Sequence, residues 1–152
     1  MARQYIQGRY KLHHPEKYQG DINDVVFRSS WELKLNRFLD LNPAVVKWAS
    51  EELVIPYYSQ ADGKMRRYFV DYVVQVKGES GAIKTFLVEV KPHSQTIPPK
   101  RGRKRESTYL KECYEYQVNT DKWAAAHEYA KKHGMEFRIF DEYTLGIAKR
   151  KG

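Results

Sequence analysis

The chain has 152 residues, 41% of them hydrophobic, which is enough for one compact core and too short for two of ordinary size. A formal charge of +8 with 14% aromatic residues, 12 of them tyrosine, excludes a disordered basic tail protein and favours a folded partner of polyanions. The single cysteine, Cys113, excludes an intrachain disulfide framework and a multi-cysteine zinc site, and no apolar run approaches the ~20 residues that span a bilayer. With no apolar stretch in the first nine residues, a soluble intracellular protein is expected.

Residues 1–27 are polar and aromatic, punctuated by Pro15 and Gly20, and predict an irregular arm laid over the rest. The first helix is predicted from Ser29, which can cap it, with Glu32 three positions later fitting a capping box. Trp31, Leu35, Phe38 and Leu39 recur at helical spacing and predict its buried face, and Asn42-Pro43 should end it. Residues 45–48 and 53–58 read as short strands, and a turn over Ala61-Asp62-Gly63-Lys64 leads into a long strand around Asp71.

That strand, Tyr68-Phe69-Val70-Asp71-Tyr72-Val73-Val74, and the next, Thr85-Phe86-Leu87-Val88-Glu89-Val90-Lys91, are joined by a short turn at residues 78–81 and predict an antiparallel hairpin. Alternation groups Phe69, Asp71 and Val73 on one face, and Leu87, Glu89 and Lys91 on one face of the partner. Two acids and a lysine inside apolar β-sequence need compensation by a metal, a substrate or each other, because an unpaired buried charge is costly. Mg²⁺ takes hard oxygen ligands, and a lysine two positions from an acid lies on the same strand face, so the pattern points to metal-dependent phosphodiester chemistry.

After Lys91 the composition changes to a Pro-rich loop ending in Lys100, Arg101, Gly102, Arg103, Lys104 and Arg105, a basic run suited to backbone phosphates. Helical pattern is predicted over residues 107–116 and again from Asn119-Thr120-Asp121, whose side chains offer N-caps, with Gly134 as the stop. Tyr109, Tyr114 and Tyr116 on the first of these read as a packed rim, with base stacking the lesser alternative. Residues 135–140 predict a last strand with Phe137 and Ile139 on one side, and the tail closes with Lys149, Arg150 and Lys151.

The order of a helix bearing Glu32, hairpin strands bearing Asp71 and Glu89-Val90-Lys91, then helix and strand, resembles the PD-(D/E)xK nuclease superfamily from about Ser29 to Phe140. The proline that precedes the aspartate in that superfamily is Val70 here, and it is not a ligand. The resemblance implies an α/β fold, a restriction-endonuclease-like mixed β-sheet flanked by α-helices. It implies one nuclease domain over residues 1–152, with the arm at 1–27, the core at 28–142 and the basic tail at 143–152.

By the same resemblance Asp71 and Glu89 are metal ligands, the Val90 carbonyl is a further ligand, and Glu32 is an outer or second-metal ligand. Lys91 orients and polarises the attacking water, and the cofactor is Mg²⁺ with Mn²⁺ as a substitute. Arg28-Ser29-Ser30-Trp31-Glu32, Trp48-Ala49-Ser50-Glu51, Tyr68-Phe69-Val70-Asp71-Tyr72, Val88-Glu89-Val90-Lys91-Pro92 and Lys122-Trp123-Ala124 are similar to the head-completion nucleases of T4-like tailed phages. These in turn are similar to the N-terminal domain of TnsA-type transposon endonucleases, whose chains continue into a partner-binding domain; the sequence's end at 152 favours the phage group.

The implied function is a DNA endonuclease acting in head completion after packaging, with DNA as substrate, portal or neck proteins as partners and no membrane. The host cytoplasm, extending to the virion, is the implied location. A non-catalytic DNA- or portal-binding assembly protein of the same fold is the alternative.

Overall fold

The structure is a computed structural model that describes residues 6–150; the first five residues of the expected arm, and Lys151 and Gly152 of the basic tail, lie outside the described residues. Within the arm, β1 (Gly8–Arg9) and β2 (Val26–Phe27) pair antiparallel, with a 3₁₀ turn at Pro15–Lys17 between them. The arm is otherwise irregular, yet Tyr10, Tyr18 and Val25 are buried core residues.

Ser29 starts α1 (Ser30–Leu41) as predicted, its hydroxyl accepting from the Glu32 N–H at 3.2 Å, and the helix ends at Asn42 before Pro43. Trp31, Leu35 and Leu39 are buried, whereas Phe38 is 56% exposed and does not join them.

Asp40, buried near the end of α1, ties the arm down. It accepts from the Tyr10 hydroxyl at 2.8 Å, the His13 N–H at 2.8 Å and the His14 N–H at 3.0 Å. Burial alone would raise its pKa, but these donors hold it below the ordinary value of 3.8. Asp40→Ala strands the donors, and stability should fall by about 1–3 kcal/mol for each that stays dry. A urea titration reads this, and an unchanged midpoint contradicts the anchor. Because the folded pKa is depressed, the wild-type contribution is present above the unfolded value and is lost as pH falls through the folded one.

The sheet is built from β3 (Val45–Ser50), β6 (Tyr72–Lys77), β7 (Ile83–Val90) and β8 (Glu136–Phe140), in the order β3-β6-β7-β8. The β3·β6 and β6·β7 pairs are antiparallel, and β7·β8 is parallel. A parallel neighbour needs a crossover, supplied by α2 (Glu106–Lys132). A separate two-stranded ribbon, β4 (Val54–Ser59) with β5 (Lys64–Phe69), lies against α2. One face of the sheet packs Tyr72, Val74, Val88 and Val90 on α1 and the arm. The other packs Leu87 and Phe137 on α2 and the ribbon, through Trp123, Ala126, Ala130, Ile55, Tyr57 and Tyr68. This is the mixed α/β sheet flanked by helices that the sequence predicts.

Three expectations change. The long strand around Asp71 is broken: β5 ends at Phe69, β6 begins at Tyr72, and the two belong to different sheets. Val70 is fully buried between them while Phe69 is 46% exposed, so the expected single face of Phe69, Asp71 and Val73 does not form. The two predicted helices after the basic loop are one helix of 27 residues. Asn119-Thr120-Asp121 does not interrupt it, and the Thr120 and Asp121 side chains bond elsewhere. The Thr120 hydroxyl donates to the Gln117 carbonyl, and Asp121 accepts from the Gln60 backbone and from the Gln60 and Gln117 side chains. Gly134, at φ +68, supplies the left-handed stop as expected, with the Met135 N–H returning to the Ala130 carbonyl.

Candidate active site

Glu89 sits near the C-terminal end of β7 on the side facing α2, and only 6% of it is exposed. Its Oε2 accepts from the Tyr68 hydroxyl at 2.5 Å and from the Trp123 Nε1–H at 2.9 Å. Burial and the Glu89 charge push the Tyr68 hydroxyl pKa far up, so Tyr68 stays a donor. Both donors serve one carboxylate oxygen, which fixes the group and leaves Oε1 to face elsewhere.

Asp71 occupies the break between ribbon and sheet. Tyr72 pairs with Val88, so one step further along the antiparallel register sets Asp71 opposite Glu89. Its Oδ2 accepts from the Val90 N–H at 2.8 Å. Burial, the charge of Glu89, a hydrogen bond shared with Glu89 and the charge of Glu32 all raise the Asp71 pKa well above the ordinary range. Only the Val90 N–H opposes them.

The contrast with Asp40 is instructive. Burial acts on both carboxyls, but Asp40 faces donors and ends low, whereas Asp71 faces acids and ends high. Two carboxylates pressed together, each with one oxygen held by the protein, form a hard oxygen set whose repulsion a divalent cation would relieve. Asp71 and Glu89 therefore fit a Mg²⁺-type ion. Glu32 contributes its field, but among the described residues no group of three or more metal-ligating side chains is placed to hold a metal.

Glu32 also serves the helix start. Its Oε1 accepts from the Arg28 N–H at 3.1 Å, one residue earlier than the Ser29 N–H of an ordinary capping box. Lys91 lies just past β7, half-buried, its N–H donating to the Phe140 carbonyl at 3.0 Å. It forms no ion pair with Asp71 or Glu89 among the described residues.

The basic run lies between β7 and α2, directly before the helix. Lys100, Arg101, Arg103 and Arg105 are exposed. Lys104 is committed within the protein, to Glu112 at 2.7 Å and to the Lys100 carbonyl at 3.0 Å. A cleft of about 430 Å³ between this loop and α2 is lined by Lys100, Lys104, Glu112 and Tyr116, and by neither Asp71 nor Glu89. Tyr114, one of the tyrosines on α2, donates its hydroxyl to Asp62.

Four residues with no predicted role surround the acids. Tyr68 and Trp123 hold Glu89, as above. Arg28 forms an ion pair with Glu51, and that bond, backed by the charges of Glu51, Glu32 and Asp71, raises the Arg28 pKa. Glu51 has φ +56, the left-handed region, and its N–H donates to the Asp71 carbonyl at 3.1 Å. Such backbone costs a non-glycine residue about 1–2 kcal/mol. The pair it presents is half-exposed, and pairs of that kind return only about 0–1 kcal/mol. Stability alone does not account for it. The only sequence signal for these residues was their place in the segments similar to phage nucleases.

A family model described as TnsA-like endonuclease N terminal matches residues 42–142, a span that contains Asp71, Glu89, Lys91 and Trp123. The head completion nuclease of Enterobacteria phage T4 is 40% identical over 95% of this chain and 97% of its own length. No solved structure matches the chain. A match over most of the chain, together with near full-length similarity to a nuclease and two opposed carboxylates where the central strands β6 and β7 meet the ribbon, gives one conclusion: the chain belongs to the TnsA-like endonuclease family.

Proposed function

We propose that this protein is a metal-dependent endodeoxyribonuclease that hydrolyses phosphodiester bonds in phage head completion, after DNA packaging. The observation that carries the reading is Asp71 set opposite Glu89 on adjoining strands, its proton affinity raised by burial and then by the neighbouring acid, a charge repulsion that a divalent ion would relieve. Asp71, Glu89 and the Val90 carbonyl would hold Mg²⁺, with Mn²⁺ as a substitute, and Glu32 would act through water or at a second ion. When bound, the ion polarises the scissile phosphate and neutralises charge that develops on it. Tyr68 and Trp123 keep Glu89 in one orientation, as outer donors do at metal sites. Lys91 orients the attacking water and stabilises developing negative charge on the phosphate.

DNA is the substrate, and portal or neck proteins are the assembly partners. The similarity to a head completion nuclease supports an action in the host cytoplasm. No helix among the described residues is long and apolar enough to cross a membrane. Incubating purified protein with duplex DNA, with and without Mg²⁺, tests the reading directly. Mg²⁺-dependent nicks or breaks with 5′-phosphate ends are expected. DNA binding without cleavage in Mg²⁺ or Mn²⁺ would favour the non-catalytic assembly protein instead.

Lys100, Arg101, Arg103 and Arg105 contact backbone phosphates in this reading, while Lys104 holds the loop to Glu112. Neutralising any of the first four should weaken binding to all sequences alike and reduce the slope of log affinity against log salt by about 0.9 per lost contact. Lys104→Gln should change the slope least. An unchanged slope in the quadruple variant would make the loop a protein-docking element.

A further inference from the structure

We propose that Arg28 is a phosphate-binding arginine of this active site, stored on Glu51 while no DNA is bound. The inference rests on the endonuclease reading and adds to it a residue and a DNA-dependent exchange of partners. Arg28 lies immediately before the Ser29 cap, so its backbone is fixed at the start of α1, and its N–H is bonded to Glu32. Its guanidinium pairs with Glu51, whose N–H is bonded to the Asp71 carbonyl, so the pair stands between the Glu32 and Asp71 segments assigned to the metal.

The planar fork of a guanidinium suits the non-bridging oxygens of a phosphate as well as it suits a carboxylate. The Arg28 side chain is 57% exposed and that of Glu51 36%, so a phosphodiester can approach without any element moving aside. Glu51 reaches this position only through a left-handed backbone, and its own N–H is tied to the Asp71 carbonyl. Strain at an acidic site, on a residue that holds an exposed arginine, fits a functional constraint better than a structural one. Glu51 keeps the arginine extended over the site. It also sets a threshold for DNA, since a phosphate must displace a carboxylate to engage the fork.

Binding without catalysis separates this from a structural bridge. A labelled short duplex is titrated in EDTA with wild type, Arg28→Ala, Glu51→Gln and the double variant, reading fluorescence anisotropy across a salt series. Glu51→Gln frees the arginine and should tighten binding by up to about five-fold, the equivalent of one half-exposed ion pair. Arg28→Ala should weaken binding and lower the salt slope by about 0.9.

The decisive comparison is the double variant, in which Glu51→Gln should give little or no gain because the freed residue is absent. A gain of affinity cannot come from misfolding. If Glu51→Gln leaves affinity unchanged, or tightens binding as much without Arg28 as with it, the arginine is not the phosphate ligand. If Arg28→Ala leaves affinity and slope unchanged, the proposal also fails. Wild-type cleavage in Mg²⁺, measured in parallel, reports separately on the endonuclease reading.

Discussion

Glu89→Gln and Asp71→Asn should each lower Mg²⁺-dependent cleavage by more than about 100-fold, the upper end of what outer donors alone contribute at metal sites. Gln and Asn are the informative replacements. A glutamine oxygen at position 89 can still accept from Tyr68 and Trp123, and an asparagine oxygen at 71 from the Val90 N–H, so the local packing survives. Glu89→Ala would instead strand two buried donors and confuse lost chemistry with lost stability.

The Asp71 change also has a thermal signature. Its folded pKa is raised above the unfolded value, so the stability tied to its protonated form is full below the unfolded pKa and is lost as pH rises through the folded one. In EDTA at neutral pH, Asp71→Asn should therefore melt higher than wild type, and the difference should shrink in acid. Added Mg²⁺ should raise the wild-type melting temperature but not that of the variant. Near-normal cleavage by either variant, or an equal Mg²⁺ shift in all three proteins, would remove the two acids from the site.

Lys91→Ala should lower kcat by about 10²–10³-fold, the range seen when one group stabilising transition-state charge is removed. The Mg²⁺-induced rise in melting temperature should remain, because Asp71 and Glu89 are untouched. The two readouts part the roles of acid and lysine. A kcat within a few-fold of wild type would leave Lys91 as an ordinary half-buried cation at the end of β7. A lost metal shift would show instead that Lys91 supports the acids rather than the reaction.

Much of this was legible in the sequence, for local reasons. Ser29 and Gly134 punctuate helices through their own backbone chemistry, and the β7 alternation puts Leu87 and Glu89 toward α2 with Val88 and Val90 toward α1. What failed depends on contacts distant in sequence. Residues 68–74 are uniformly strand-like, and nothing in them announces that Val70 packs on the α2 side of the sheet while Tyr72 packs on the α1 side. Asn119-Thr120-Asp121 reads as a cap until Gln60, far away in the chain, is seen to occupy Asp121. Phe38 follows the helical period yet stays 56% exposed. The donors that fix Glu89, and the left-handed turn that carries Glu51, exist only once the ribbon, sheet and α2 have met.

The central claim is that Asp71 and Glu89 share a divalent ion, and anomalous scattering from crystals soaked in Mn²⁺ tests it most directly. The account predicts an anomalous peak within coordination distance of both carboxylates and the Val90 carbonyl, at roughly 2.0–2.3 Å for a hard cation of this size, absent from Asp71→Asn crystals soaked in the same way. A soaked wild-type crystal with no peak between the two acids, from protein that cleaves DNA in Mn²⁺, would contradict it.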